Sequence, residues 1–91
     1  MKYDLFFTEQ AKRDIQAFKQ SEPQAYKKLC ELLLEIQEHP YSGTGHPKPL
    51  GRNRAGQWSR RITKKHRLVY TNLEGNLVIS ILSVSGYYDE K

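Results

Sequence analysis

The spacing of apolar residues along the chain predicts two helices and four strands. Tyr3, Leu5 and Phe7 occupy alternate positions, which is typical of a short strand. Apolar residues then recur three and four positions apart in two consecutive segments, which predicts amphipathic helices. The first apolar stripe contains Ala11, Ile15 and Phe18, and the second contains Ala25, Leu29, Leu32, Leu33 and Ile36.

The expected ends of both helices follow from their flanking residues. Thr8 and Ser21 each offer a side-chain oxygen as an N-cap, and Pro23 is tolerated in the first turn of the second helix. That helix should end at His39, because Pro40 disfavours helical geometry in the residue before it. Almost no loop separates the two segments, so an antiparallel helical hairpin is expected.

The second half of the chain predicts three further strands, at residues 58–62, 66–71 and 77–84, joined by tight turns into antiparallel hairpins. Residues 40–56 contain four glycines and three prolines, which predicts an ordered, functional loop without regular structure. The expected fold is a single α+β domain over residues 1–91. Its helical hairpin packs on one face of a twisted antiparallel sheet and leaves the other face open.

Positive charge is concentrated in the second half of the sequence. Residues 1–45 carry six Lys and Arg against seven Asp and Glu, whereas residues 46–91 carry nine against three. Between Lys48 and Arg67 there are eight bases and no acid. Such a surplus is typical of a surface that binds a polyanion, usually nucleic acid, and the alternative is a solvated basic face that maintains solubility.

Other kinds of site find little support in the sequence. The single cysteine, Cys30, excludes a disulfide within the chain, and the three histidines are not spaced as metal ligands. The segment 42–51 contains glycines but lacks the Lys-Ser/Thr ending of a phosphate-binding loop. We therefore expect a protein without a metal or a cofactor. Because neither a signal-peptide pattern nor an apolar run of membrane length is present, we also expect it to be cytoplasmic and without a membrane partner.

Strand alternation indicates which cations share a face of the sheet. Ile62 and Leu68 are expected to point toward the helices. Their neighbours Arg61 and Arg67 then point away and meet on the open face. The loop that carries Lys48 leads into the same region.

The remaining polar residues of this segment have other expected positions. Arg60 falls on the helix side beside Trp58, where a cation–π contact or an edge position would account for it. Lys64 and Lys65 lie at a hairpin tip, where contact with phosphate and plain solvation are equally compatible with the pattern. His66 alternates onto the helix side and is expected to be structural.

These motifs together resemble a known family. The segment "WSRRITKKHRLVY", preceded by "GTGHPKPL" and followed by an aromatic pair in "GYYDEK", is similar to the YoeB/Txe branch of the RelE toxin superfamily. The resemblance extends over nearly the whole chain. It implies the toxin of a type II toxin–antitoxin system, a ribosome-dependent endonuclease that cleaves mRNA in the A site and so inhibits translation. It also implies a YefM/Axe-like antitoxin with an acidic tail, and a homodimer as the free state.

The resemblance and the chemistry of the residues together suggest a site. Cleavage of RNA by its own 2′-OH needs a proton acceptor, cations that stabilise the phosphorane charge, and a proton donor for the 5′-oxygen. The predicted catalytic residues are Lys48, Arg61, Arg67, Tyr87 and Tyr88, and the predicted RNA-binding residues are His46, Arg52, Arg54, Lys64 and Lys65. Guanidinium groups match phosphate oxygens, and a tyrosine can stack on a base or donate a proton. For the two tyrosines, simple packing near the chain end is the alternative.

The sequence departs from the YoeB pattern in two places. Lys48 stands where that branch has a general-base glutamate between two prolines, and Tyr87-Tyr88 replaces its His-Tyr ending. Between Glu38 and Glu74 no carboxylate is available for the missing role. The RelE branch resembles this mixture of lysine, arginine and tyrosine, and repulsion from nearby arginines would favour the neutral amine that a base requires. The alternative is a catalytically impaired relative that acts as a ribosome- or antitoxin-binding module.

Overall fold

Two helices lie against a five-stranded mixed sheet in the computed structural model of the protein, which describes residues 2–51, 56–72 and 77–85. In chain order the elements are β1 (Asp4–Phe7), α1 (Glu9–Ser21), α2 (Pro23–Ile36), β2 (Lys48–Pro49), β3 (Gln57–Arg61), β4 (Arg67–Asn72) and β5 (Val78–Ser85). The predicted α+β class is confirmed. Among the described residues, no helix has the length and apolar character needed to cross a membrane.

The strands are ordered β1-β5-β4-β3-β2 across the sheet. β3, β4 and β5 pair in antiparallel fashion, as predicted, and β2 adds a further antiparallel strand that was not predicted. β1 instead pairs in parallel with β5, so the expectation of a wholly antiparallel sheet is wrong at this edge. The alternation of apolar residues in a strand specifies which face is buried, but it carries no information on the direction of the neighbouring strand.

Both apolar stripes pack on one face of the sheet, as predicted. Buried residues of the two helices share a core with residues of β3–β5 and their ends: Ala11, Phe18, Ala25, Leu29, Leu32, Ile36, Ile62, Leu68, Tyr70, Ile79, Ile81 and Val84. A bulge in β5 shifts the register, so that Val69 lies opposite Ser83 while Tyr70 lies opposite Ile81. This bulge keeps both Ile81 and Val84 in the core although they are three residues apart.

The start of α1 follows the prediction and the start of α2 does not. The Thr8 hydroxyl accepts the main-chain N–H three residues further on, at 3.0 Å, which is a regular N-cap. Ser21 is the last residue of α1 instead of the cap of α2, and its hydroxyl donates to the Ala17 carbonyl. α2 begins at Pro23 after Glu22, whose side chain makes no capping bond. Because proline lacks an N–H, α2 has one donor fewer to cap.

The end of α2 lies three residues before the predicted position. The helix ends at Ile36, and the amides of Glu38 and His39 both donate to the Glu35 carbonyl in a closing turn. Pro40 thus limits the helix as expected, but the turn before it already departs from helical structure.

The predicted irregular loop contains a short edge strand. Lys48 pairs opposite Ser59, and Pro49 pairs opposite Trp58. A proline on each side of Lys48 favours extended backbone there, which is compatible with a strand at the sheet edge. The expectation that the whole of 40–56 is irregular is therefore wrong for this pair of residues.

Candidate functional site

The face of the sheet opposite the helices brings three cations together. Arg61 lies directly opposite Arg67 in the β3–β4 pair, and opposed residues of antiparallel strands share a face. Lys48 lies opposite Ser59, two residues before Arg61, so it belongs to the same face. Opposed side chains have Cβ atoms about 5 Å apart and diagonal neighbours about 7–8 Å apart, within reach of one phosphate group for long side chains. The prediction that Arg61 and Arg67 lie together on the open face is confirmed.

Between the arginine pair and Lys48 lies a buried floor formed by Ser59 and Val69, which oppose each other. Each is only 1% exposed. Among the described residues, the Ser59 hydroxyl has no hydrogen-bond partner. A buried polar atom without a partner is rare and is commonly satisfied by a ligand or a water molecule. Ser59 shares a face with Arg61 because the two residues are two positions apart on β3, but nothing in the sequence indicates its burial.

Arg60 lies on the opposite side of β3, in the core. Its guanidinium is fully buried and forms an ion pair with Glu35 of α2, with Nη1 2.5 Å from Oε1. Nε donates to the Tyr70 hydroxyl at 3.2 Å. The other acceptors are the carbonyl oxygens of His39, Ser42 and Thr44. The expected cation–π contact or edge position is therefore wrong, because β2 covers the edge of β3 and carboxylate and carbonyl oxygens surround the charge.

The partners of Arg60 are themselves bonded to the loop after α2. The Tyr70 hydroxyl donates to the Pro40 carbonyl at 2.6 Å, and Glu35 accepts the N–H and the hydroxyl of Thr44 at 2.7 and 3.1 Å. Partial burial raises the pKa of Glu35, but the bonds from Thr44 and Arg60 outweigh it and hold that pKa below its usual value. Burial raises the pKa of Tyr70, although Arg60 partly opposes this.

The sequence contained a signal for this cluster that the charge analysis missed. Glu35 falls between Leu32 and Ile36 within the apolar stripe of α2, where an acid needs a buried basic partner. Arg60 alternates onto the same core side beside Ile62. One of the eight bases between Lys48 and Arg67 is therefore neutralised in the core and adds nothing to the basic surface.

Gly45 lets the loop lie directly against β3. Its φ is +85°, and a Cβ at this position would lie 2.9 Å from the Arg61 carbonyl oxygen. Its own carbonyl accepts the Arg61 N–H at 2.7 Å. The next residue, His46, has a φ of +52° and an exposed side chain. The loop thus contacts β3 at Gly45, three residues before Lys48.

The β3–β4 turn holds Lys64 and Lys65 at the surface, as predicted. The Thr63 hydroxyl accepts the Lys65 N–H at 3.3 Å and orders this turn. His66 is half-buried, with its Nδ1 3.1 Å from the Thr63 Oγ1 and its ring 4.8 Å from that of Phe18. The interpretation of His66 as structural is confirmed.

Four predicted site residues, Arg52, Arg54, Tyr87 and Tyr88, lie outside the described residues. Within the described ranges, no group of three or more His, Cys, Asp or Glu could hold a metal ion. The described open face carries amino and guanidinium groups, which can bind anions and stabilise developing negative charge.

Comparison with known proteins identifies the family to which the chain is similar. The chain matches the family model of a YoeB-like toxin of a bacterial type II toxin–antitoxin system over residues 7–88. Toxin YoeB of Escherichia coli K12 is 37% identical over 76 residues, which cover 84% of this chain and 90% of that protein.

Solved structures agree with the sequence match. A YoeB/ParE toxin from Agrobacterium tumefaciens has a TM-score of 0.85 at 29% identity, over 93% of this chain and 99% of that one. The Staphylococcus aureus YoeB dimer has a TM-score of 0.82 at 36% identity, over 97% of this chain and all of that one. YoeB in a YoeB–YefM complex from the same organism has a TM-score of 0.81 at the same identity. The chain therefore belongs to the YoeB-like toxins of bacterial type II toxin–antitoxin systems, as its sequence motifs predicted.

Proposed function

We propose that this toxin is a metal-independent endoribonuclease that cleaves mRNA on the ribosome and thereby inhibits translation. The observation that supports it most strongly is the cross-strand pair of Arg61 and Arg67 on the open face. Two guanidinium groups placed opposite each other make a strongly positive patch, which suits an anionic ligand. The phosphodiester of RNA is an anion that two guanidinium groups can bind together.

The proposed reaction uses the RNA's own 2′-oxygen as the nucleophile. Lys48 accepts the 2′-OH proton, the 2′-oxygen forms a bond to phosphorus, and the bond from phosphorus to the 5′-oxygen breaks. Arg61 and Arg67 stabilise the negative charge that develops on the phosphorane oxygens. Tyr87 or Tyr88 donates the proton that the leaving 5′-oxygen takes up, which leaves a cyclic phosphate and a 5′-hydroxyl.

The other predicted residues would hold the RNA without taking part in bond changes. His46, Lys64 and Lys65 are exposed, and Arg52 and Arg54 are proposed as further phosphate contacts. A toxin relative that binds the ribosome or its antitoxin without cleavage is the second candidate function. The observation that favours it is Lys48, which replaces the carboxylate of the YoeB pattern.

The proposed protein partner is a YefM/Axe-like antitoxin with an acidic tail, and the proposed free state is a homodimer in the cytoplasm. The Staphylococcus aureus YoeB dimer and YoeB–YefM complex support both forms of assembly. An acidic segment that binds a basic face is steered by charge, so association should slow markedly as salt concentration rises. An association rate independent of salt, measured by stopped-flow mixing, would instead indicate an apolar interface.

The test is a cell-free translation reaction followed by mapping of mRNA ends. We expect new mRNA ends within the translated region when ribosomes, mRNA and the toxin are all present, and none when ribosomes are omitted. Cleavage of free mRNA at the same rate would contradict ribosome dependence. Binding of the toxin to ribosomes without any new ends would favour the binding module.

A further inference from the structure

We infer that Arg60 is a positioning residue for the open face, although it lies on the other side of the sheet. Together with Glu35 and Tyr70 it fixes the loop after α2, and this loop sets the position of Lys48. The inference rests on the proposed function for its effect on cleavage. Its structural part, the coupling between the buried cluster and strand β2, can be tested without any activity.

The Arg60 guanidinium holds the loop after α2 at several points. Arg60 donates to the carbonyl oxygens of His39, Ser42 and Thr44, with Ser42 at 2.8 Å and Thr44 at 3.2 Å. Its own position is fixed by Glu35. Every one of these loop acceptors is a main-chain carbonyl, so the contacts restrain the path of the backbone itself.

The cluster of Arg60, Glu35 and Tyr70 connects the loop to three separate elements. Glu35 belongs to α2, Arg60 to β3 and Tyr70 to β4. Glu35 also accepts two hydrogen bonds from Thr44, and Tyr70 donates to the Pro40 carbonyl. Loop residues 39–44 are therefore attached to the helix layer and to the sheet at once, which leaves the chain little freedom where it leaves the cluster.

Two backbone hydrogen bonds hold the segment that runs from the cluster through Lys48 against β3. The Gly45 carbonyl accepts the Arg61 N–H at 2.7 Å, and the Leu50 N–H donates to the Gln57 carbonyl at 2.8 Å. Strand β2 lies between these two bonds and is only two residues long. So short a strand has too few ladder bonds to fix its own register, so the loop before it must do so.

Stability alone does not account for a buried arginine at this position. Removing a charge from water is expensive, and an apolar cluster of similar volume is often equally or more stable. The guanidinium instead offers several donors in fixed directions, and here they are used on loop carbonyls. This is the arrangement expected of a group that specifies the path of a loop.

The test compares Glu35→Gln with Ile15→Val, a substitution of a side chain that packs on the core from α1, the helix that carries no member of the cluster. Glu35→Gln keeps the shape of the side chain and removes the charge that holds Arg60. Tyr70→Phe removes the hydroxyl that joins Arg60 to Pro40 and serves as a second variant. For each variant we would measure the free energy of unfolding, amide hydrogen exchange at Leu50 and Arg61, and the rate of mRNA cleavage on ribosomes.

We expect exchange at Leu50 and Arg61 to rise on the order of tenfold in Glu35→Gln and Tyr70→Phe, and to stay near wild type in Ile15→Val. Cleavage should fall by about tenfold to a hundredfold in the two cluster variants, as a displacement of about 1 Å in a site can cause. Unchanged exchange at both amides in the two cluster variants would overturn the inference. So would equal losses of cleavage in all three variants at equal stability. If the wild-type toxin does not cleave mRNA, the proposed function fails, and the exchange measurements alone decide the inference.

Discussion

Arg60 and Arg61 are neighbours in sequence with the same side chain, yet they lie in opposite environments. Arg60 is fully buried and bonded to five acceptors, one of them the carboxylate of Glu35. Arg61 is exposed and faces a second cation, Arg67, across the strand pair. The acceptors around each guanidinium, and not its formal charge, decide whether the residue holds the fold or remains available to a ligand.

The same contrast extends to the two faces of the sheet. On the core side, the positive charge is matched by a carboxylate and carbonyls. On the open side, Arg61 and Arg67 oppose each other with Lys48 nearby, and the Ser59 hydroxyl is left without a partner among the described residues. Described residues compensate the positive charge in the core, whereas the open face gathers like charges on neighbouring strands.

Replacing each arginine by methionine should separate the two roles most clearly. Arg60→Met leaves Glu35 without its ionic partner and removes a donor from the loop carbonyls, so the free energy of unfolding should fall by about 3–5 kcal/mol. Arg61→Met removes an exposed charge that faces Arg67, so its effect should stay within about 0.5 kcal/mol. Urea unfolding of both variants at neutral pH measures this. Similar losses in the two variants would remove the basis of the comparison.

Substitutions of Lys48 test whether this residue accepts a proton or only contacts phosphate. Arginine keeps the charge but cannot release its proton, so Lys48→Arg should bind ribosomes and lose cleavage on the order of a hundredfold. The matched variant is Lys48→Glu, and cleavage on ribosomes should be measured for both across pH. Full cleavage by Lys48→Arg would reduce Lys48 to a phosphate contact. Restored or enhanced cleavage by Lys48→Glu would indicate that the site retains the carboxylate chemistry of the YoeB pattern.

Acid should weaken the buried cluster through Glu35. The folded state lowers the pKa of this carboxyl, so its stabilisation is present above the ordinary glutamate value of about 4.3 and is lost as pH falls through the folded value. Wild type should therefore exceed Glu35→Gln in stability by about 1.5–3 kcal/mol at pH 7, with a smaller difference at pH 3. Urea unfolding of both proteins across this range is the measurement. A difference that does not depend on pH would contradict the role of the ionised carboxylate.

The smallest expected effect concerns the unpaired hydroxyl on the open face. Ser59→Ala removes a buried polar group that has no partner in the described structure, so stability should rise slightly, by less than about 1 kcal/mol. Thr71→Val is the control on β4, because the Thr71 hydroxyl donates to the Gly56 carbonyl at 2.7 Å and its loss should not stabilise. Thermal unfolding compares the two. A marked loss of stability in Ser59→Ala would mean that the hydroxyl is paired in solution.

Apolar periodicity was sufficient to predict the helices, the strands β3–β5 and the face that each buries. It could not predict that β1 runs parallel to β5, because both directions bury the same side of a strand. It also missed strand β2, since Lys48 and Pro49 form an edge by backbone pairing and carry no apolar pattern. Long-range pairing of this kind is decided by the assembled sheet and not by the local sequence.

Alternation placed the cations of both faces on their correct sides, but it did not identify the partners of the buried one. Alternation alone placed Arg61 and Arg67 together, since each adjoins an apolar core residue. Arg60 was predicted on the helix side with a cation–π contact or an edge position, because strand alternation takes no account of the acid Glu35 on a distant helix. The roles of Lys48 and the other proposed site residues stay predictions, since position on a face does not establish chemistry.

The most direct test of the central claim, that the paired arginines of the open face carry out cleavage, is the rate at which Arg67→Ala cuts ribosome-bound mRNA. We expect a loss of about 10²–10³-fold relative to wild type, as when a preorganised donor to a transition state is removed, and a smaller loss for Arg61→Ala. Lys12→Ala, which removes an exposed cation on α1, should cleave like wild type. Wild-type cleavage by a folded Arg67→Ala at equal concentration would contradict the account.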